Sequence, residues 1–137
     1  MKKHLNFIFL ILLIFTSTTV FGGNSETVIQ TTTHWDKQPI KPIHINQPQV
    51  SMLKITIPVG EKLPVHKHPV LNVGYLTKGE LTVYSEKGDV LVLKQGNPIV
   101  ELVDIWHYGV NTGTEDAEIV VTYVGNKNDA LTVIKEQ

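Results

Sequence analysis

Beyond residue 49 the chain alternates short runs rich in Val, Ile, Leu, Thr and Tyr with punctuating glycines, and the 3.6-residue recurrence of an amphipathic helix is hard to find. Successive residues of a strand project to opposite faces, so such runs read as half-buried β-strands. Strands are expected near Val50 to Ile57, Leu63 to His68, Asn72 to Thr77, Leu81 to Ser85, Val90 to Leu93, Ile99 to Val103, His107 to Val110 and Glu118 to Val124, with Ala130 to Ile134 as a last edge strand. Lys78-Gly79, Lys87-Gly88-Asp89, Gln95-Gly96 and Asn111-Thr112-Gly113 supply the turns. Eight or nine short strands without helices predict an all-β sandwich or barrel whose edges are closed or covered.

The first 48 residues break this pattern twice. Met1-Lys2-Lys3, an apolar run from Leu5 to Phe15, and small or hydroxylated residues up to Gly22 follow the order of a secretory signal peptide. The apolar run is well short of the roughly 20 residues that span a bilayer. Residues 1–22 are therefore expected to be cleaved, leaving an exported protein, periplasmic or secreted, with no stable membrane insertion. Residues 23–48 are rich in Thr and Gln, and Pro39, Pro42 and Pro48 interrupt any ladder. They are expected to form an extended arm along the barrel, reaching toward a neighbouring subunit, with the barrel domain occupying residues 49–137.

Charge and cysteine usage narrow the function. Without Lys2 and Lys3, ten lysines face 13 carboxylates, a net charge of −3, and there is no arginine. A basic stripe is missing, so nucleic acid is an unsuitable partner. With no cysteine, neither a disulfide nor a lipid anchor on sulfur can form. Stability must come from the core, a bound metal or a partner subunit. The available chemistry is that of imidazole, carboxylate, amide and phenol.

The imidazoles carry the strongest signal. His66 and His68 share one face of their expected strand, about 7 Å apart along it, and two such rings can grip one ion. His107 is the candidate third ligand. A polar pair on a solvent face, and a buried His107 satisfied by a carbonyl, are the alternatives. From Gly60 the spacing is five residues, His66, one residue, His68, three residues, Asn72, six residues, Gly79. Further on, Gly96 is followed by Trp106, His107 and, after three residues, Asn111.

This frame resembles the cupin superfamily, with first motif G-x5-H-x-H-x3,4-E-x6-G and second motif G-x5-P-x-G-x2-H-x3-N, over roughly Gly60 to Val124. In the second motif Leu102 stands in the proline place and Asp104 in the glycine place. The resemblance implies an antiparallel jelly-roll β-barrel holding a divalent transition metal (Zn, Fe, Mn, Ni or Cu) through His66, His68 and His107. The family's fourth ligand is a glutamate, where this chain has Asn72. Its amide oxygen can ligate directly or bond to a bound water. Three neutral imidazoles leave the ion its full charge, and losing a carboxylate weakens retention of hard ions such as manganese more than of zinc, copper or nickel.

Around the trio, Tyr75, Glu101, Trp106 and Tyr108 are candidate pocket residues, with Tyr84 and Tyr123 as further aromatics that could line the cavity or fill the core. Glu101 and Asp104 are candidate acids or bases, or solvated strand ends. Asn111 reads as a turn residue in the left-handed region, Gly60, Gly79 and Gly96 as tight-turn glycines, and His34 and His44 as surface residues. Two functions compete: a metal-dependent enzyme on a small organic substrate, of dioxygenase, isomerase or lyase type, or a non-catalytic barrel that binds metal or a metabolite. A scaffold without metal is a third reading. A small-molecule ligand or substrate and a second copy of the chain, as a homodimer, are the expected partners.

Overall fold

Nine strands form among the described residues: β1 (Pro48–Ile57), β2 (His66–Lys67), β3 (Leu71–Lys78), β4 (Glu80–Ser85), β5 (Val90–Lys94), β6 (Pro98–Val100), β7 (His107–Val110), β8 (Ala117–Asn126) and β9 (Val133–Ile134). The structure is a computed structural model describing residues 23–136, and the expected signal segment lies outside them. The strands pair antiparallel into two sheets, ordered β1-β8-β3-β6 and β5-β4-β7-β2-β9. Together they make an all-β, jelly-roll-like sandwich.

Alternation along β8 sets the inner face. Ala117, Ile119, Val121 and Tyr123 are buried, and each residue between them is half-exposed. A one-residue slip would turn this whole set outward, so burial pins the register against β1 and β3. Ile57, Leu76, Leu81, Val83, Leu93 and Ile99 close the core against it. Each fully buried aliphatic side chain contributes about 1.5–3 kcal/mol relative to an exposed one.

Three strands are shorter than the sequence pattern suggests. The run Leu63–His68 keeps only His66–Lys67 as strand, between Pro64 and Pro69, which cannot donate to a ladder. The run Ile99–Val103 yields Pro98–Val100, after which the chain turns through Asp104 at φ +57°. Asp104 thus takes the left-handed conformation that glycine in the family motif accommodates, one Asp tolerates better than most residues. The run Ala130–Ile134 keeps Val133–Ile134, paired with β2.

Gly60, Gly79 and Gly96 have φ of +75°, +75° and +87°. At Gly79 space is limiting as well, because a Cβ would stand 2.9 Å from Ala117 Cα and 3.0 Å from the Asp116 carbonyl oxygen. Asn111 works differently from expectation. It has no positive φ and is buried as a staple, its Nδ2 donating to the carbonyls of Ile57 (2.8 Å) and Glu115 (2.9 Å) while its Oδ1 accepts from Gly113 N–H (2.9 Å).

The arm folds onto its own barrel. Trp35 N–H donates to the Val100 carbonyl (3.0 Å), Lys127 N–H donates to the Gln47 carbonyl (2.8 Å), and Trp35 packs against the core. His34, expected at the surface, is buried, because its Nδ1–H reaches the Glu101 carbonyl at 2.6 Å. His44 is exposed. No helix among the described residues is long and apolar enough to cross a membrane.

Candidate metal centre

His66 on β2 lies directly opposite His107 on β7, and alternation carries His68 to the same interior face. A bridge from His68 to Val103 holds the chain there after β2 ends. The ring centroids stand 4.6 Å apart for His66 and His107, and 5.0 Å for each pair involving His68. One ring nitrogen from each histidine lies within 4.8 Å of the others, so the three can hold one metal ion.

Each ring is aimed by a backbone carbonyl. His66 Nδ1 meets the Pro64 carbonyl at 2.7 Å, His68 Nδ1 the Leu131 carbonyl at 2.8 Å, and His107 Nδ1 the Ile105 carbonyl at 2.8 Å. A carbonyl oxygen only accepts, so Nδ1 carries the proton in each ring and Nε2 keeps a lone pair. Anchoring of this kind orients metal-binding imidazoles. Burial also holds all three rings neutral: His68 is pushed down to about 4, and His66 and His107 are lowered for the same reason against the opposing pull of their carbonyl bonds.

One carboxylate stands beside the rings, and a buried amide, Asn72, lies opposite it on the neighbouring strand without lining the cavity the rings border. Glu101 is buried, and burial pushes its carboxyl up to about 7 despite the opposing influence of His66. Its Oε2 is 3.5 Å from His107 Nε2. Asn72 is fully buried and donates from Nδ2 to the Val70 carbonyl at 3.4 Å. Asn72 Oδ1, Glu101 Oε2 and His107 Nε2 are three of the five buried side-chain polar atoms without a hydrogen-bond partner among the described residues. Unpartnered buried acceptors are costly, and a cation would satisfy Glu101 Oε2 and His107 Nε2, which face each other at 3.5 Å. The donor set therefore fits a divalent ion.

The rings and Glu101 border a cavity of about 210 Å³ walled by Ile57, Leu81, Val83, Val121 and Tyr123. It is bordered also by Pro64, Thr132 and Ile134, which are exposed. Tyr75, Trp106 and Tyr108 do not line it. Trp106 and Tyr108 flank His107 and so take the opposite face, where Lys67 and Lys135 approach the indole (5.3 and 5.4 Å) and Tyr84 stacks on Tyr108 at 5.1 Å. Tyr75 is out of phase with inward-facing Asn72, Gly74 and Leu76 and is 40% exposed. Asp104 pairs with Lys67 at 3.3 Å, outside the cavity wall.

Tyr123 is the aromatic that does enter, its ring edge-on to His68 at 5.5 Å, and its parity within β8 was the available signal. Leu131 and Thr132, which approach His68 Nδ1 at 2.8 and 3.2 Å, come from an irregular segment with no such signal.

Residues 53–123 match the family described as Cupin domain. The chain belongs to the cupin family. Among solved structures, this cupin resembles recombinant oxalate oxidase in complex with glycolate, with 27% identity over 62% of this chain and 45% of that one, at a TM-score of 0.53. It shares its fold with the DMSP lyase DddQ from Ruegeria pomeroyi DSS-3 (20% identity, 63% of this chain, 43% of that one, TM-score 0.55). The same holds for an RmlC-like cupin from Shewanella frigidimarina NCIMB 400 (24% identity, 58% of this chain, 69% of that one, TM-score 0.50). The chain spans less than half the length of the oxalate oxidase and the lyase. Comparison with curated proteins finds no match.

Proposed function

We propose that this cupin binds one divalent transition metal through His66, His68 and His107 and acts as a metal-dependent enzyme on a small organic acid. One observation carries the reading: three Nδ1–H groups are committed to carbonyls, leaving three Nε2 lone pairs directed to shared space. The ion would supply Lewis acidity to a chelating carboxylate or hydroxyl. The protein's own part is to hold the rings neutral, and to exclude water and large ligands with Ile57, Leu81, Val83, Val121 and Tyr123. A volume of about 210 Å³ suits a ligand of a few heavy atoms. Glycolate, the ligand of the oxalate oxidase neighbour, is of that size.

Elemental analysis tests the metal. Wild type is expected to carry about one divalent ion per chain and a His66→Ala, His68→Ala variant none; equal content in both refutes the site. Incubating the loaded protein with two- to four-carbon acids then separates the two functions. Saturable binding without product is the outcome of a capture barrel, the second reading. The cavity beside the trio leaves room for a small molecule, as both readings require.

We also propose export and homodimerisation. The order of charge, apolar run and small residues over Met1 to Gly22 supports the first, tested by the N-terminal sequence of protein recovered from its native host. The edge strand β1 supports the second, since Val50 and Met52 are 66% and 68% exposed on it. Light scattering of the mature chain tests it.

A further inference from the structure

We propose that Glu101 delivers to the metal, from the neighbouring strand, the carboxylate that the cupin pattern places at position 72. The inference rests on the three-histidine reading and adds a fourth protein ligand to it. Val73 on β3 pairs with Val100 on β6, so Asn72 and Glu101 are the next opposed pair, and Glu101 N–H donates to the Asn72 carbonyl at 3.2 Å. Opposed residues of an antiparallel pair share a face, with Cβ atoms about 4.5–5.5 Å apart. A carboxylate moved from position 72 to position 101 therefore crosses one ladder step and stays on the inward side of the same sheet.

The side-chain atoms agree with the register. Glu101 is buried, and its Oε2 sits 3.5 Å from His107 Nε2, which bears a lone pair because Nδ1 holds the ring proton. Two buried acceptor atoms that face each other, neither with a hydrogen-bond partner among the described residues, call for a proton or a cation between them. Glu101 is also fixed from both sides of its backbone: its N–H is tied to Asn72, and its carbonyl accepts from His34 Nδ1–H at 2.6 Å. The arm thus clamps the residue whose side chain points at the trio.

Asn72 becomes intelligible on this basis. A glutamate at 72 opposite Glu101 would bury two carboxylates within reach of each other, and like charges at that spacing resist joint ionisation. An amide at 72 keeps an oxygen in place without the second charge. The donor set is then three imidazoles and one carboxylate, which retains hard ions better than three imidazoles alone.

Affinities of the folded protein for manganese(II) and zinc(II), measured by competition with a chromogenic chelator, test this for wild type, Glu101→Gln and the exchange N72E/E101N. The exchange keeps the same two side chains and the same total volume. Glu101→Gln is expected to weaken manganese binding at least about tenfold and zinc binding less, and the exchange to bring manganese back to within a few-fold of wild type. Unchanged manganese affinity in Glu101→Gln, with binding still abolished in His66→Ala, His68→Ala, overturns the role of Glu101 and leaves the trio standing. Wild type that binds neither ion overturns both. Should Glu101→Gln fail to fold, a crystal structure of zinc-loaded wild type decides: a Glu101 oxygen about 2.0–2.2 Å from zinc supports the assignment, and one beyond about 3 Å overturns it.

Discussion

His66 and His107 are register partners on adjacent antiparallel strands, 41 positions apart in number, and their ring centroids stand 4.6 Å apart inside the barrel. The three-histidine cluster is thus part of the β2–β7 pairing. β2 has only two residues, too short to hold its place by backbone ladder alone. An ion bound by both strands would fasten them together.

Metal removal should accordingly weaken the fold. An ion at about 100 times its Kd, bound only by folded protein, adds about 2.7 kcal/mol, which is roughly 10 °C in Tm for a domain of this size. A chelator is expected to lower Tm by that order in loaded wild type and to leave His66→Ala, His68→Ala unmoved. Calorimetry with occupancy measured beforehand checks it, and an unchanged Tm on full removal contradicts the expectation.

The metal-free protein should show a characteristic pH dependence. His68 sits near 4 in the folded chain, with His66 and His107 also lowered, against 6.5 when unfolded. Between about pH 4 and 6.5 the unfolded chain binds protons that the folded chain does not, so stability rises with pH. Glu101 opposes this, at about 7 folded against 4.5 unfolded: the folded chain keeps a proton that the unfolded chain releases, and stability falls as pH climbs through that range. Three imidazoles outweigh one carboxyl, so urea midpoints are expected to rise from pH 4.5 to 6. In Glu101→Gln they should rise more steeply, because the opposing group is gone. Parallel curves for the two proteins contradict the assignment.

Gly79→Ala should destabilise by about 2–4 kcal/mol. The residue combines φ +75° with a Cβ position 2.9 Å from Ala117 Cα, and backbone atoms cannot step aside as a flexible side chain does. Gly60→Ala has the same φ but open space, so it should cost less. Denaturant unfolding of both variants separates strain from collision.

The contrast between what could and could not be read from the sequence follows from locality. Strand alternation and the glycine frame are local, so the β-class, the turns at Gly60, Gly79 and Gly96 and the shared face of His66 and His68 were legible. Trp106 and Tyr108 do not line the cavity, because alternation about inward-facing His107 sends its two neighbours to the other face. The burial of His34 depends on a bond spanning 67 positions, and no pattern within the arm encodes it. Glu101 is legible as a pocket candidate from its nearness to His107 in sequence, but its opposition to Asn72 depends on the β3–β6 register, which only the assembled sheet supplies.

That distant bond makes the arm part of the centre, and it can be tested. His34 Nδ1–H satisfies the Glu101 carbonyl at 2.6 Å in a buried setting, and Trp35 N–H satisfies Val100 beside it at 3.0 Å. Removing the imidazole leaves a buried carbonyl unpaired, a loss of about 1–3 kcal/mol. His34→Ala is therefore expected to lower stability by that amount. It should also loosen Glu101 at the point where its side chain leaves the backbone. His34→Gln, whose amide can donate to the same carbonyl, is expected to recover part of both effects. Manganese affinity measured alongside unfolding separates them: a stability loss with unchanged affinity would make the arm a simple brace, whereas a joint loss restored by glutamine ties residue 34 to the placement of residue 101.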